Sequence, residues 1–422
     1  MTTRRPRILF VSENITLAQV VRLFVLARSL SRSEYEVHFA SSAFDPMVFE
    51  GSGLVQHPLF TLAKERVLGA MEAGKRLYEK KVLAKYVEHE LQLFDRVQPD
   101  LVVGDFRLSL AVSAPLRGVR HATLINAYWS PYYRRDGFPV PDHPIVRLLG
   151  EETTEKYFPM AIPQVFAHFA RPLNSLRKSH GLPELGSLLE TLVYGDDTLY
   201  VDEPSLTPVD AAPPSHRFLG PVLWAPRVPL PMGLGDDDGR PLVYVTLGSS
   251  GRVDALPHVL RALGRLPVRA VIATAGRCEL NGLPDNVRAF PFVSGDELSK
   301  RASLVISNGG STTSYQALAE GTPVIGLPSN FDQYLAMTAI ERAGAGVLVK
   351  ARRVTDQAVV DAVNRVLRDE SFTTSARSIA RRFAALDSGL EFRAFVREAC
   401  FGRPKLAHGS TSDIVSSVSA QS

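Results

Sequence analysis

Short apolar runs alternate with longer amphipathic stretches along most of the chain. The apolar runs that suit buried strands fall at residues 7–12, 37–40, 101–103, 122–125, 242–247, 270–274, 287–291, 304–306, 324–327 and 346–349. The stretches with apolar positions at helical spacing fall at residues 17–30, 62–94, 254–266, 332–343, 356–368 and 371–400. This alternation of strands and helices predicts an α/β protein with parallel sheets.

The stretch from Leu304 to Gln333 has the clearest strand–turn–helix–strand pattern. Its first apolar run ends in SNGG, where Gly309 and Gly310 allow the backbone to approach a ligand closely. The next helix is predicted to end at Gly321, because glycine readily adopts the left-handed cap conformation. The start of this helix favours an anionic diphosphate, since its first N–H groups lack partners and its dipole is positive there. Taken alone, the turn is equally typical of a protein that binds nothing at this point.

The same stretch resembles the donor-binding signature of nucleotide-sugar glycosyltransferases of the UDP-glucuronosyltransferase and macrolide glycosyltransferase type. That family's pattern is HGG, a small residue and Thr, then EAL, G-x-P, a Pro and finally DQ. The positions that match it are Gly309, Gly310, Thr313, Ala317, Leu318, Gly321, Pro323, Pro328, Asp332 and Gln333. Two positions depart from it. Asn308 stands where the family has a phosphate-binding His, and Gln316 stands where many members have a ribose-binding Glu.

The resemblance implies an α/β architecture of two facing Rossmann-like domains, the GT-B fold, with an interdomain crevice. The expected divisions are an acceptor-binding domain at 1–225, a linker at 226–240, a nucleotide-sugar-binding domain at 241–384, a C-terminal helix at 385–402 that packs back on the first domain, and a disordered tail at 403–422. The implied reaction transfers a sugar from a nucleotide diphosphate co-substrate to a hydroxyl of a natural-product or lipid-like small molecule. Inversion at the anomeric carbon, without a metal or a cofactor, belongs to the same expectation.

The resemblance also places the donor on the second half of the chain. The residues expected to bind it are Gly248, Ser249, Phe292, Val293, Asn308, Gly309, Gly310, Thr312, Thr313, Gln316, Asp332 and Gln333. The first pair follows a strand, where small residues with free N–H groups form an anion-binding nest. Other readings stay open at two places. Thr313 with Gln316 also fits a capping box, and Asp332 with Gln333 also suits a helix N-cap.

The general base is not evident from the sequence. In the family, the loop after the first strand carries a catalytic His, whereas SENITLAQ in this chain contains none. Glu13 in that loop and Asp105, which aligns with the Asp that orients the family's His, are the candidates. Either carboxylate needs desolvation to raise its pKa from near 4. Glu13 is equally suited to a solvated loop or a helix start, and Asp105 to a helix N-cap. His121 and His143 qualify only if the fold brings them to the crevice.

The composition narrows the classes of function further. The chain has 422 residues and a net charge of +4, without the basic stripe or aromatic motif that nucleic-acid binding requires. Scattered arginines allow weak contact with an anionic membrane surface, while the absence of an apolar run of 18 residues predicts no spanning helix. Two cysteines, Cys278 and Cys400, favour a reducing cytoplasm. The aromatic run 127–138 suits either an apolar pocket or a cover over a sheet edge. The sequence does not indicate an oligomeric state.

Two further classes of function compete with a glycosyltransferase. The loss of both family histidines favours a nucleotide-sugar-binding or auxiliary protein without turnover. A sugar-nucleotide epimerase of similar architecture is the third reading, and it predicts isomerised donor without any acceptor.

Overall fold

The computed structural model describes residues 4–72, 75–140, 146, 150–226, 228–231, 234, 238–247, 253–278, 280–350 and 353–402. The strands in these ranges are β1 (Arg7–Ser12), β2 (Glu36–Ser41), β3 (Val55–Pro58), β4 (Leu101–Asp105), β5 (Arg120–Ile125), β6 (Asp197–Tyr200), β7 (His216–Phe218), β8 (Leu242–Thr246), β9 (Arg269–Ala273), β10 (Val287–Phe290), β11 (Leu304–Ser307), β12 (Val324–Gly326) and β13 (Gly346–Leu348).

The helices between the strands also follow the predicted alternation. They are α1 (Leu17–Ser29), α2 (Pro46–Phe49), α3 (Lys64–Glu72), α4 (Lys80–Val97), α5 (Leu110–Arg117), α6 (Glu151–Ser179), α7 (Leu188–Leu192), α8 (Leu256–Gly264), α9 (Gly295–Arg301), α10 (Ser311–Ala319), α11 (Phe331–Arg342), α12 (Asp356–Arg368), α13 (Glu370–Ala384) and α14 (Ser388–Phe401). Short 3₁₀ turns lie at Ala127–Trp129 and Val253–Ala255.

The strands form two separate parallel sheets. The first has the order β3-β2-β1-β4-β5-β6-β7 and the second the order β10-β9-β8-β11-β12-β13. Every pair of neighbouring strands in these sheets is parallel. In each sheet the chain order reverses beside the first strand, so the carboxyl ends of the strands border a crevice there. The predicted fold class, two parallel α/β units, is confirmed.

Continuous apolar strands form because both faces of each sheet are covered by helices. In the first sheet, Ile8 and Phe10 are fully buried on one face, and Leu9 and Val11 are fully buried on the other. The last helix, α14, packs on the first sheet although it follows the second in sequence. The ring of Phe392 lies 5.7 Å from that of Phe10, centroid to centroid.

Several elements were not recognised in the sequence, among them three short strands and the longest helix. Strand β3 lies at a sheet edge and is partly exposed, so it lacks a strong apolar signal. Strands β6 and β7 have only four and three residues. Helix α6 contains Pro159, Pro163 and Pro172, and proline inside a sequence normally argues against a helix because it removes a backbone donor.

The stretch at residues 62–94 contains two helices, α3 and α4, and Gly69 lies inside α3. The predicted tail, 403–422, lies outside the described residues. None of the described helices is both long and apolar enough to cross a bilayer.

Candidate functional site

A cavity of about 850 Å³ receives side chains from both sheets and their helices. From the first half come residues of α1, the 3₁₀ turn after β5 and the long helix α6. From the second half come the start of α10 and the start of α11. One space therefore joins the two sheets at the carboxyl ends of their strands, where ligands bind in open α/β folds.

The turn between β11 and α10 gives this cavity a helix N-terminus. Gly310 is the N-cap, and no side chain caps the helix there. Gly309 has φ +77°, and a Cβ at that position would come within 2.5 Å of Met337 Cγ, so only glycine fits. Asn308 Oδ1 accepts a hydrogen bond from the N–H of Gly310 at 3.1 Å. The first N–H groups of α10 therefore meet a cavity rather than a side-chain cap.

The cavity lining includes most of the predicted donor residues: Phe292, Val293, Asn308, Gly310, Thr312, Thr313, Gln316, Asp332 and Gln333. The predicted capping box at Thr313 and Gln316 is wrong, because both residues lie inside the helix. The amide of Gln316 instead donates to the carbonyl oxygen of Trp224. Gly248 and Ser249 lie outside the described residues.

The start of α11 brings a carboxylate to the cavity. Asn330 is the N-cap of this helix and accepts from the N–H of Gln333 at 3.1 Å, so the N-cap reading of Asp332 is wrong. Asp332 Oδ1 accepts hydrogen bonds from Trp129 Nε1 at 2.7 Å and from the Tyr128 hydroxyl at 3.2 Å. The aromatic run therefore contributes Trp129 to the cavity lining and also fixes a carboxylate from the other sheet.

Asp105 ends β4, is fully buried and is held by an arginine that the sequence analysis did not single out. Arg22 Nε and Nη2 donate to its two oxygens at 2.9 and 2.8 Å. Burial raises the pKa of Asp105 to about 6, although the charge and hydrogen bonds of Arg22 oppose that rise. The N-cap reading is wrong, because α5 begins after Ser109. Arg22 lines the cavity, whereas Asp105 lies behind it.

Glu13 is also buried, at 1% exposure, so its reading as a solvated loop carboxylate is wrong. Its Oε1 accepts from the hydroxyls of Tyr78 and Tyr86, both at 2.7 Å. Arg107 Nη1 donates to Oε2 at 3.1 Å. Burial raises the pKa of Glu13, and these three partners oppose the rise. Tyr78 lines the cavity, but Glu13 does not. The cap of α1 is Thr16.

His121 does not line the cavity. His121 is buried in β5, and burial lowers its pKa to about 4, so the ring is neutral near neutral pH. Its Nε2 lies 3.2 Å from the Thr123 hydroxyl. His143 lies outside the described residues.

A chain of polar side chains connects Arg22 to the second half. Arg22 Nη1 donates to Asn126 Oδ1 at 2.6 Å, and Asn126 Nδ2 donates to Asp202 Oδ1 at 2.8 Å. Tyr315 in α10 donates to the same Asp202 oxygen at 2.6 Å. The sequence held one signal for this network. Arg22 interrupts the apolar residues VVRLFVLA of α1, and a charged residue on a buried helix face needs a partner.

The rest of the cavity is largely apolar. Side chains of α1, β5 and α6 form this part, among them Leu17, Val21, Ile125, Ile162, Phe166 and Phe169. Such a lining suits a hydrophobic small molecule, while the polar groups at the starts of α10 and α11 suit a charged one.

Comparison with known proteins finds a matching family and similar glycosyltransferases. Residues 257–392 match the family described as "Erythromycin biosynthesis protein CIII-like, C-terminal domain". A "PGL/p-HBAD biosynthesis glycosyltransferase" of Mycobacterium tuberculosis is 46% identical over 384 residues, covering 90% of this chain and 89% of that protein. A "PGL/p-HBAD biosynthesis rhamnosyltransferase" of Mycobacterium bovis is 44% identical over 392 residues, covering 91% and 85%.

Solved structures show the same fold at lower identity. Spinosyn rhamnosyltransferase SpnG superposes with a TM-score of 0.69 at 20% identity, covering 92% of this chain and all of that one. Streptomyces SsfS6 in complex with thymidine diphosphate has a TM-score of 0.68 at 20% identity, covering 93% of this chain and all of that one. The fold and the site thus define a GT-B glycosyltransferase. The chain belongs to the family of macrolide-type glycosyltransferases that includes the PGL/p-HBAD biosynthesis enzymes.

The raised pKa of Asp105 predicts how the free energy of unfolding depends on pH. The folded protein holds a proton on this group below about pH 6, whereas an unfolded aspartate does so only below about pH 4. We therefore expect the free energy of unfolding of the native protein, relative to Asp105→Asn, to rise as the pH falls from about 7 to about 4. Urea denaturation of both proteins at stepped pH measures it. A relative free energy that falls over this interval would show that Arg22 lowers the pKa instead.

Proposed function

We propose that this protein transfers a sugar from a nucleoside diphosphate to a hydroxyl of a hydrophobic small molecule, with inversion and without a metal. The proposal rests on the observation that one cavity is continuous between the two halves. It joins an uncapped helix N-terminus and a fixed carboxylate to a largely apolar space.

The donor's diphosphate would lie at the start of α10. The N–H groups from Ser311 to Thr313 and the hydroxyls of Thr312 and Thr313 are available to its oxygens, and the helix dipole favours its charge there. Gly309 allows the close approach, and Gly248 with Ser249 would add a second set of N–H groups. The SsfS6 structure with thymidine diphosphate supports a nucleotide site in this fold.

The remaining donor groups would extend from the diphosphate in two directions. We assign the nucleobase to the edge formed by Phe292 and Val293, and the ribose to Gln316, whose amide is held at the cavity wall by Trp224. The sugar would lie toward Asp332 and Gln333 at the start of α11. This order is proposed from the resemblance of these residues to the family's motif, and all five of them line the cavity.

The acceptor would occupy the apolar space beneath α6. The lining there offers aromatic and aliphatic side chains, which favour a lipid-like or aromatic molecule over a polar one. One structure of SpnG is in complex with spinosyn aglycone, which supports an aglycone acceptor in this fold.

Transfer requires three events at the point where the donor space and the acceptor space meet. The acceptor oxygen forms a bond to the anomeric carbon, the bond from that carbon to the diphosphate oxygen breaks, and the acceptor proton passes to a base. Holding both reactants in line lowers the barrier through reduced entropy loss. Groups that are already aimed at the diphosphate stabilise the charge that develops on it.

We propose Asp332 as the base, because a base must lie within hydrogen-bond reach of the acceptor hydroxyl. Among the described residues that line the cavity, Asp332 is the one with a carboxylate. Glu13 could reach the cavity only through the Tyr78 hydroxyl, and Asp105 lies behind Arg22. These two carboxylates, indicated by the sequence, remain the alternatives.

The reaction itself is tested with the purified protein, a panel of UDP-, TDP- and GDP-sugars, and phenolic and aliphatic alcohol acceptors. We expect a glycoside with inverted anomeric configuration, detected by NMR, in amounts unaffected by EDTA. Nucleotide binding without any product would favour an auxiliary binding protein. Isomerised donor in the absence of acceptor would indicate an epimerase.

The base is tested with Asp332→Asn, Asp105→Asn and Glu13→Gln. We expect Asp332→Asn to lower kcat about 10²–10⁴-fold and to remove the acidic limb of the pH–rate profile, because general-base catalysis contributes about that much. Its affinity for the free nucleoside diphosphate should be unchanged.

The other two variants identify a different base. Suppose that Asp105→Asn or Glu13→Gln removes the acidic limb of the pH–rate profile and that Asp332→Asn keeps it. The residue whose substitution removed the limb is then the base. If Asp332→Asn raises only the KM for the donor, its role is to hold sugar hydroxyls.

A further inference from the structure

Arg22 places a permanent positive charge between the two spaces of the cavity. Its side chain is 9% exposed, and that exposed part belongs to the cavity lining. Among the described lining residues, Arg22 and Lys75 are the arginine and lysine present. Lys75 is exposed and lies between α3 and α4, whereas Arg22 is linked to the start of α10.

The link to α10 runs through one oxygen atom. Asn126 Oδ1 accepts from Arg22 Nη1 at 2.6 Å and from the Ser311 hydroxyl at 3.5 Å. Ser311 is the first residue of α10, so the guanidinium and the helix N-terminus lie on either side of the same amide oxygen. Burial lowers the pKa of Arg22, but the charge and hydrogen bond of Asp105, with smaller contributions from Tyr128 and Asp332, raise it overall. Arg22 is therefore linked to the helix start at which the diphosphate is proposed to bind.

The site needs a cation at this point. A departing diphosphate gains negative charge, and Asn308 provides only a neutral amide near the start of α10. The loop after β1 contains no histidine either. An arginine stays protonated at any working pH and presents five N–H groups in a planar fork that suits phosphate oxygens.

The bonds of Arg22 leave room for such a ligand. Within the described hydrogen bonds, Nε, Nη2 and Nη1 each donate once, to Asp105 and Asn126. A guanidinium has five N–H groups, so two remain for the cavity. Neutralising Asp105 is a weak reason for this arrangement, because a buried ion pair is seldom more stable than an apolar pair of the same size.

We propose that Arg22 is a catalytic residue that donates hydrogen bonds to the β-phosphate of the donor and stabilises its charge as the sugar leaves. Asp105 and Asn126 are positioning residues that fix the plane of the guanidinium. The proposal rests on the proposed function, since it requires a nucleoside diphosphate at α10.

The test compares nucleoside diphosphates with monophosphates by titration calorimetry. UDP and UMP, and TDP and TMP, are titrated into the native protein, Arg22→Lys, Arg22→Gln and the double variant Arg22→Gln/Asp105→Asn. We expect Arg22→Gln to weaken diphosphate binding about 10- to 100-fold, because the loss of a hydrogen bond to a charged group raises the Kd by about that factor. Monophosphate binding should change little. Arg22→Lys should be intermediate, and kcat should fall in the same order.

The double variant separates catalysis from structure. Arg22→Gln leaves Asp105 buried without its partner and can fail to fold, whereas the double variant removes both charges. Arg117→Gln is the matched control, because Arg117 forms an ion pair with Asp95 on an exposed surface. A folded double variant with the native preference for diphosphate over monophosphate would overturn the proposal. A native protein that binds no nucleotide would instead contradict the proposed function.

Discussion

The buried ion pair between Arg22 and Asp105 is the interaction on which the organisation of the site depends. Two charges without water around them are stable only if other polar groups complete their hydrogen bonds. Asn126 does so for Arg22, and Asp202 in turn holds Asn126. Tyr315 of α10 donates to the same Asp202, so the polar network of the first sheet extends to the second. Hydrogen bonds of this network therefore connect the two sides of the crevice.

The separation of polar and apolar side chains in the cavity affects the proposed reaction. The polar network and the start of α10 lie at one end of the cavity, and the apolar lining of α6 lies at the other. A hydrophobic acceptor that fills the apolar end also displaces water from the reacting atoms. Charges and dipoles act more strongly when water is excluded, so acceptor binding would itself strengthen the stabilisation of the leaving group.

The sequence predicted most of the fold, because strands buried on both faces are continuous apolar runs and the helices between them keep their period. It also predicted a strand–turn–helix unit at residues 304–333, and most of the proposed donor residues in that unit line the cavity. It could not predict the burial of Glu13. The partners that enclose this carboxylate, Tyr78 and Tyr86, lie more than sixty residues away along the chain. Nor could it predict α6, whose three prolines hide its helical period.

Arg22 shows what a local reading of motifs omits. The loop after β1 lacks the histidine of the family pattern. The charged residue that contacts Asp105 lies instead on the next helix, at Arg22, and its role depends on contacts that only the fold creates. The sequence shows a charged residue on an apolar helix face. Its role becomes clear only from the position of Asp105 at the end of β4.

The most direct test of this account is a crystal structure of the protein with a nucleoside diphosphate sugar bound. The account predicts the β-phosphate against the N–H groups that follow Gly309, within hydrogen-bond distance of Arg22, with the sugar beside Asp332. A diphosphate bound elsewhere, or a start of α10 closed off by side chains in the complex, would contradict it.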